Sequence, residues 1–397
     1  MNDAERRAFA ALRFNWAPTP DDVWRSSASF HVDGLHAAVV RAVLDGVAEA
    51  DASHASSPIG VAVLGQRGTG KTHLLGSVRE RVQLAGGYFF LVSLLEASAF
   101  WRSTALSLLD GFARQLEDGE TQLTVMLRRL AERVGAPRLV RRAVLGEYPL
   151  TRSTLDAFID LIRKTDRHLG IECQDTARAL VLHAAESTRL QDVGYEFLCS
   201  NDEVEPGGRS EWGIRRGKRS AQEVVRDVSR LLALTGPTVI AVDQIDLLIA
   251  QSVKSSEGDD RAEWQTSLLL EQIAGGLMDL RENTRRSLTV VTCLPQTWEQ
   301  IKTQATDTVQ DRFREALWLR EIPTPALGRE LVARRFAGQF TRIGFTPPHQ
   351  TWPVHDAAFE QATQFTPREL LKTIDVHVRA GLAADVAHEL TTLLPVA

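Results

Sequence analysis

Cysteine is scarce: three in 397 residues, Cys173, Cys199 and Cys293, far apart and odd in number. That excludes a disulfide framework, gives no zinc-site spacing, and leaves buried thiols as the expected role. No run approaches the roughly 18 apolar residues that a membrane span needs. The first residues, Met1 to Arg7, lack the apolar core of a signal peptide. A cytoplasmic protein with no membrane partner is therefore expected. Basic excess is missing too, since the net charge is -5. This argues against a uniformly basic nucleic-acid binder and leaves only a local candidate patch, Arg215-Arg216-Gly217-Lys218-Arg219. Six lysines against 40 arginines fit a GC-rich genome better than a function. Internal repeats and low-complexity tracts are absent. What remains, 44% apolar and 24% charged residues, is an ordinary globular composition long enough for two or three domains.

One of the few lysines, Lys71, closes the most informative stretch. Gly65-Gln66-Arg67-Gly68-Thr69-Gly70-Lys71-Thr72 fits the phosphate-binding loop pattern G-x-x-x-x-G-K-[ST]. The apolar run Ile59 to Leu64 before it has buried-strand character, and His73 to Val82 after it has helical spacing. Glycines let backbone N–H groups turn inward around a phosphate, the helix start adds its positive end, Lys71 adds a point charge, and Thr72 can ligate Mg²⁺. Gly65 to Thr72, with His73 next in the helix, are the expected nucleotide-binding residues; ATP and Mg²⁺ are the expected ligands.

The fold class expected is α/β: a parallel P-loop NTPase sheet flanked by helices, with a long helical insert and a small C-terminal helical lid domain. Strands are predicted at Tyr88–Ser93, Thr238–Asp243, Leu288–Thr292 and Leu317–Arg320. A helical insert spans 95–235, with a polar, glycine-containing stretch at 200–220 expected as a mobile loop. The boundaries expected are 1–29 for an N-terminal segment, 30–322 for the nucleotide-binding domain and 323–397 for the helical lid.

Val239-Ile240-Ala241-Val242-Asp243 ends a buried strand in an acid, which is costly unless the carboxylate faces a cation, so Asp243 is the candidate Mg²⁺ ligand with Thr72. Its alternative is a turn-forming aspartate. Gln244 stands where hydrolysing P-loop enzymes commonly place a glutamate; an amide orients a water but cannot take its proton, so turnover is expected to be slow or conditional. Asp246 is a nearby spare carboxylate or a helix cap. Thr292, at a strand end, is a candidate γ-phosphate sensor or a plain β-branched strand residue. Arg312, before the last strand, is a candidate arginine finger or a solvated arginine. Thr366 and Glu369 form a capping box with Pro367 between them, so Arg368 sits in a helix's first turn, where a phosphate would relieve its conflict with the helix dipole.

In this order the features resemble the AAA+ ATPases over about Phe30 to Ala384. Asp243-Gln244-Ile245-Asp246 looks like the D-E-x-D acidic motif of the origin-recognition, initiator-like clade with Gln for Glu. Thr366-Pro367-Arg368 resembles its sensor 2, Asp311-Arg312-Phe313 its arginine-finger box, and Thr292 its sensor 1. The large insert and short lid bear a general resemblance to ATPases of BREX-type bacterial phage-defence systems. The resemblance implies a homo-oligomeric ring or filament with shared ATP sites, remodelling a protein or nucleic acid, and a protein partner bound through the insert. DNA binding would fall to the insert, to Arg215–Arg219 or to a missing or separate partner, since no clear winged-helix domain follows the lid. A nucleotide-dependent switch with little hydrolysis is the second reading; a small-molecule kinase lacks an evident acceptor pocket.

Overall fold

The computed structural model describes residues 1–393 apart from 15, 18, 26–30, 54–55, 95–98, 216, 256–258, 305–307 and 317, and leaves aside the side chains of 251–255, 259–263, 265, 304 and 308. Phe30, Arg216 and Leu317, each part of an expectation above, lie outside the described residues.

Five strands form one parallel sheet: β1 (Gly60–Leu64), β2 (Tyr88–Ser93), β3 (Thr238–Asp243), β4 (Ser287–Cys293) and β5 (Phe313–Glu315), in the order β2-β3-β4-β1-β5. Parallel strands covered on both faces read as continuous apolar runs, and β1 to β4 do so. Alternate residues then divide between two cores. Val61, Val63, Phe89, Leu91, Val239, Ala241, Leu288 and Val290 face helices α2 (Ala37–Ala52) and α3 (Lys71–Leu84). Ala62, Leu64, Phe90, Val92, Ile240, Val242 and Val291 face the other way, towards α4 (Phe100–Ala113). Each fully buried Phe or Leu contributes roughly 1.5–3 kcal/mol to this layering.

Between β2 and β3 the chain is helical: α4, α5 (Gln122–Arg133), α6 (Arg138–Val144), α7 (Arg152–Thr165), α8 (Arg167–Glu172), α9 (Gln174–His183), α10 (Thr188–Leu198), α11 (Gly208–Glu211) and α12 (Ala221–Ala233). α12 buries Val224, Val225, Val228, Leu231 and Leu232, three and four residues apart, against α4, and starts at a Ser220–Glu223 capping box. The insert is thus continuous with the sheet's core. The stretch expected as a mobile loop contains α11 and several anchors. Arg209 lies over Phe197 and donates to the Asn201 carbonyl at 2.8 Å, Arg178 donates to the Trp212 carbonyl at 3.1 Å, and Ile214 is buried.

Of the candidate basic patch, Arg215 and Lys218 are exposed and Arg219 is not. Arg219 is buried and paired with Asp227 at 2.6 Å, and Lys218 faces Asp202 at 3.2 Å. Asp227, a turn and a half into α12 from its start, was not a visible partner in the linear pattern.

After β3 come α13 (Ile245–Ser255) and α14 (Asp259–Asn283), and after β4 come α15 (Pro295–Gln304) and α16 (Thr308–Arg312). Among the described residues the last strand is Phe313–Glu315, earlier than the expected 317–320, of which Leu319 makes a single parallel bridge to Gly65. Phe313 pairs with Gly60 and covers it so closely that a Cβ there would stand 2.3 Å from the ring, whereas Trp318 points outward. Leu319 still follows β1, donating its N–H to the Leu64 carbonyl at 2.8 Å.

The C-terminal unit has its own core, built from α17 (Pro325–Ile343), the 3-10 helix Asp356–Gln364 and α18 (Pro367–Ala384) around Phe336, Phe340, Trp352, Phe359 and Ile374. α1 (Asp3–Ala11), at the other end of the chain, adds Ala8 and Phe9 to it, and Leu12 and Phe14 follow.

Candidate functional site

Strands β1, β3 and β4 end side by side: Val63 is level with Thr292, and Val242 with Val291. In parallel sheets such carboxyl ends form the ligand-facing edge. The glycine-rich loop leaves β1 there. Gly68 and Gly70 have φ of +89° and +99°, in the left-handed region that glycine occupies freely, and Gly70 is the N-cap of α3. A side chain on Gly65 would stand 2.6 Å from Thr69 Oγ1, which itself donates to the Gln66 carbonyl at 2.8 Å. The loop is therefore wound tightly at the positive end of a 14-residue helix, with Gln66 and Arg67 exposed at its outer turn.

Lys71 folds across the loop, Nζ donating to the carbonyls of Gly65 at 2.6 Å and Gln66 at 3.3 Å. Burial lowers its pKa, while the nearby carboxylates of Asp246 and Asp243 pull the other way. Asp243 is buried at the end of β3 and receives three donors: Thr72 Oγ1 at 3.2 Å, the Gln244 N–H at 2.9 Å, and Thr292 Oγ1 from the neighbouring strand. Burial raises its pKa against the pull of these bonds. Thr292 thus spends its hydroxyl on Asp243. Gln244 has φ +67°, uncommon for a residue with a Cβ. Asp246, in the first turn of α13, accepts the Leu294 N–H with both oxygens, at 3.0 and 3.2 Å. It fastens the turn after β4 to the turn after β3, a role that neither alternative weighed for it included.

Arg368 is brought to the loop. Its N–H donates to the Gly68 carbonyl at 3.2 Å, and its Cβ is 2.7 Å from where a Gly68 side chain would begin. Its Nε donates to the Trp16 carbonyl at 3.0 Å. Arg312 is not brought there. It precedes the residue that pairs with Gly60, at the opposite end of β1 and about 13 Å from the loop at ~3.3 Å per residue, and it pairs with Glu282 at 2.9 Å. His73 turns to a neighbouring imidazole: it stacks on His31 with centroids 5.5 Å apart, and burial with His31 beside it lowers its pKa to about 4.

His36 is a contact that sequence reasoning missed: its Nε2 lies 2.7 Å from the Thr69 carbonyl and so carries the proton that bond needs. It precedes α2, and nothing local marks it as a partner of a loop more than 30 residues away.

The oxygen set at Thr72 and Asp243 suits a hard cation such as Mg²⁺, which takes one or two carboxylates plus oxygens of a bound phosphate. Among the described residues no group of three or more His, Cys, Asp or Glu side chains is placed to hold a metal unaided. A cavity of about 250 Å³ beside Trp24, Ser93 and Arg114 shares no residue with the loop. Among the described residues no helix is long and apolar enough to cross a membrane. Comparison of the chain with protein-family models, characterised proteins and solved structures finds no match.

Proposed function

We propose that the chain binds ATP with Mg²⁺ and is an ATPase of the AAA+ kind, assembling through ATP sites shared between subunits. The observation that carries the reading is the convergence on one sheet edge of Lys71 in a tightly wound glycine loop, Asp243 with Thr72, and Arg368 on Gly68. Lys71 and the loop N–H groups would hold the phosphates, and Thr72 and Asp243 the ion. Mg²⁺ supplies neutralisation of phosphate charge when bound. Gln244 orients water without accepting its proton, so turnover is slow. The work of a motor, loader or regulator in a nucleic-acid-associated complex, phage defence included, rests on the resemblance; the pairing of Arg219 with Asp227 leaves Arg215 and Lys218 as the exposed described cations of the candidate DNA contact.

Gln244 favours a second reading: an ATP-dependent switch or scaffold with almost no hydrolysis. Calorimetric titration with ATP and Mg²⁺, alongside phosphate release, separates the two for wild type, Lys71→Ala and Gln244→Glu. Binding lost in Lys71→Ala, with turnover raised at least tenfold in Gln244→Glu, supports the ATPase. Binding without turnover in either wild type or Gln244→Glu supports the switch, and absence of binding in wild type defeats both.

A further inference from the structure

The N-terminal segment joins both units of the molecule, and the arginine that reaches the glycine loop holds its middle. At one end it belongs to the C-terminal core. Phe9 meets Trp352 edge-on at 5.1 Å and lies against Gly381, Phe14 meets Phe336 at 5.6 Å, and the Arg13 carbonyl accepts from Gln339 at 2.8 Å. At the other end the 3-10 helix Pro20–Trp24 belongs to the sheet's core. Val23 is buried among the side chains of α3, Trp24 meets Phe89 edge-on at 5.8 Å, and the Arg25 carbonyl accepts from Arg79 at 3.2 Å. Trp16 lies between these anchorages, and its carbonyl is the acceptor for Arg368 Nε.

We propose that Trp16, between the Phe14 and Val23 anchorages, straps the seam between the two units, and that Arg368 is its catch, exchanging the Trp16 carbonyl for the phosphates of a nucleoside triphosphate at the glycine loop. The inference rests on the nucleotide reading of that loop. A neutral carbonyl offers the guanidinium one hydrogen bond, whereas a phosphate offers paired, charge-assisted bonds of greater strength. The backbone of Arg368 is already fixed on Gly68, so the exchange needs only side-chain torsions. Once Arg368 leaves, the strap keeps its apolar anchorages and loses the polar tie between them. Its local opening becomes easier while α1 and α3 stay packed. Bound triphosphate would in this way loosen one of the connections between the C-terminal unit and the sheet.

Hydrogen exchange on the full chain tests this, with and without a non-hydrolysable ATP analogue and Mg²⁺, for wild type and Arg368→Ala, while calorimetry reports binding separately. The analogue should speed exchange of the wild-type amides between Phe14 and Trp24 about tenfold, with α9 unchanged. Arg368→Ala should show the same speed without nucleotide and gain nothing more from it. Measured binding with unchanged or slower strap exchange overturns the strap and leaves the nucleotide reading standing. Absence of binding to wild type overturns both. Should α9 exchange reveal that Arg368→Ala has unfolded, the wild-type pair decides alone.

Discussion

The hydroxyl of Thr292, at the end of β4, donates to the carboxylate of Asp243, at the end of β3. The β4 strand lies between the glycine-loop strand and the acid-ended strand, so this bond aligns the three strand ends around one buried charge. Such a charge is kept at a cost. Burial raises the Asp243 pKa, so folding is penalised at every pH above its folded value, and the penalty disappears as pH falls below the unfolded value.

Asp243→Asn is therefore expected to be more stable than wild type at pH 7, while losing Mg²⁺-dependent nucleotide affinity. Urea midpoints at pH 7 and pH 4 check it: the gain should shrink on acidification. A variant less stable than wild type at neutral pH would mean that the three donors more than offset the desolvation.

His73 works in the opposite pH sense. Its folded pKa, about 4, lies below the ordinary imidazole value of 6.5, so the unfolded chain binds the extra proton first. Stability from this group is complete above about pH 6.5 and is lost as pH falls towards 4, by on the order of 2–3 kcal/mol. Its surroundings include His31, His36, Arg335 and Glu80, of which the first three disfavour a second positive charge. His73→Leu should lack this share of the acid loss. From pH 7.5 to 4.5 the wild-type denaturation midpoint should fall more steeply than the variant's, and parallel curves would refute the assignment.

Asp246 separates geometry from charge. Asp246→Asn keeps an oxygen for the Leu294 N–H, whereas Asp246→Ala leaves that donor without it, at a cost of about 1–3 kcal/mol. Thermal unfolding should rank wild type and Asn together and Ala clearly below. Both variants remove a charge that raises the Lys71 pKa, so the alkaline limit of nucleotide binding should move to lower pH in both. Equal stability of Asn and Ala would remove the strut role.

Much of this edge was legible in the chain because its signals are local. The glycine loop, the acid after Val239–Val242 and the capping box around Arg368 are each written within a few residues. What was not legible depends on partners far along the chain. Phe313 starts the last strand because Gly60 leaves room for its ring, although Leu317 to Arg320 has the stronger strand composition. Arg219 looks free until Asp227 meets it, and α1 reads as an N-terminal segment until Phe9 reaches Trp352. His36 on Thr69 and Trp16 on Arg368 are tertiary contacts with no periodicity to announce them.

Arg312 tests the shared-site proposal. Its pair with Glu282 is partly exposed on both sides, so breaking it should cost less than about 1 kcal/mol. Its position at the far end of β1 removes it from its own glycine loop, so nucleotide affinity should stay within about twofold of wild type. If it serves a neighbouring subunit's site, Arg312→Ala should lower turnover by about 10³, the usual worth of an arginine finger. Wild-type activity per subunit should then rise with protein concentration as oligomers form, and the variant's should stay flat. Calorimetry, melting curves and phosphate release across a concentration series check the three parts together. Wild-type activity independent of concentration, or full activity in Arg312→Ala, would leave the ATP site confined to one chain and return Arg312 to an ordinary surface ion pair.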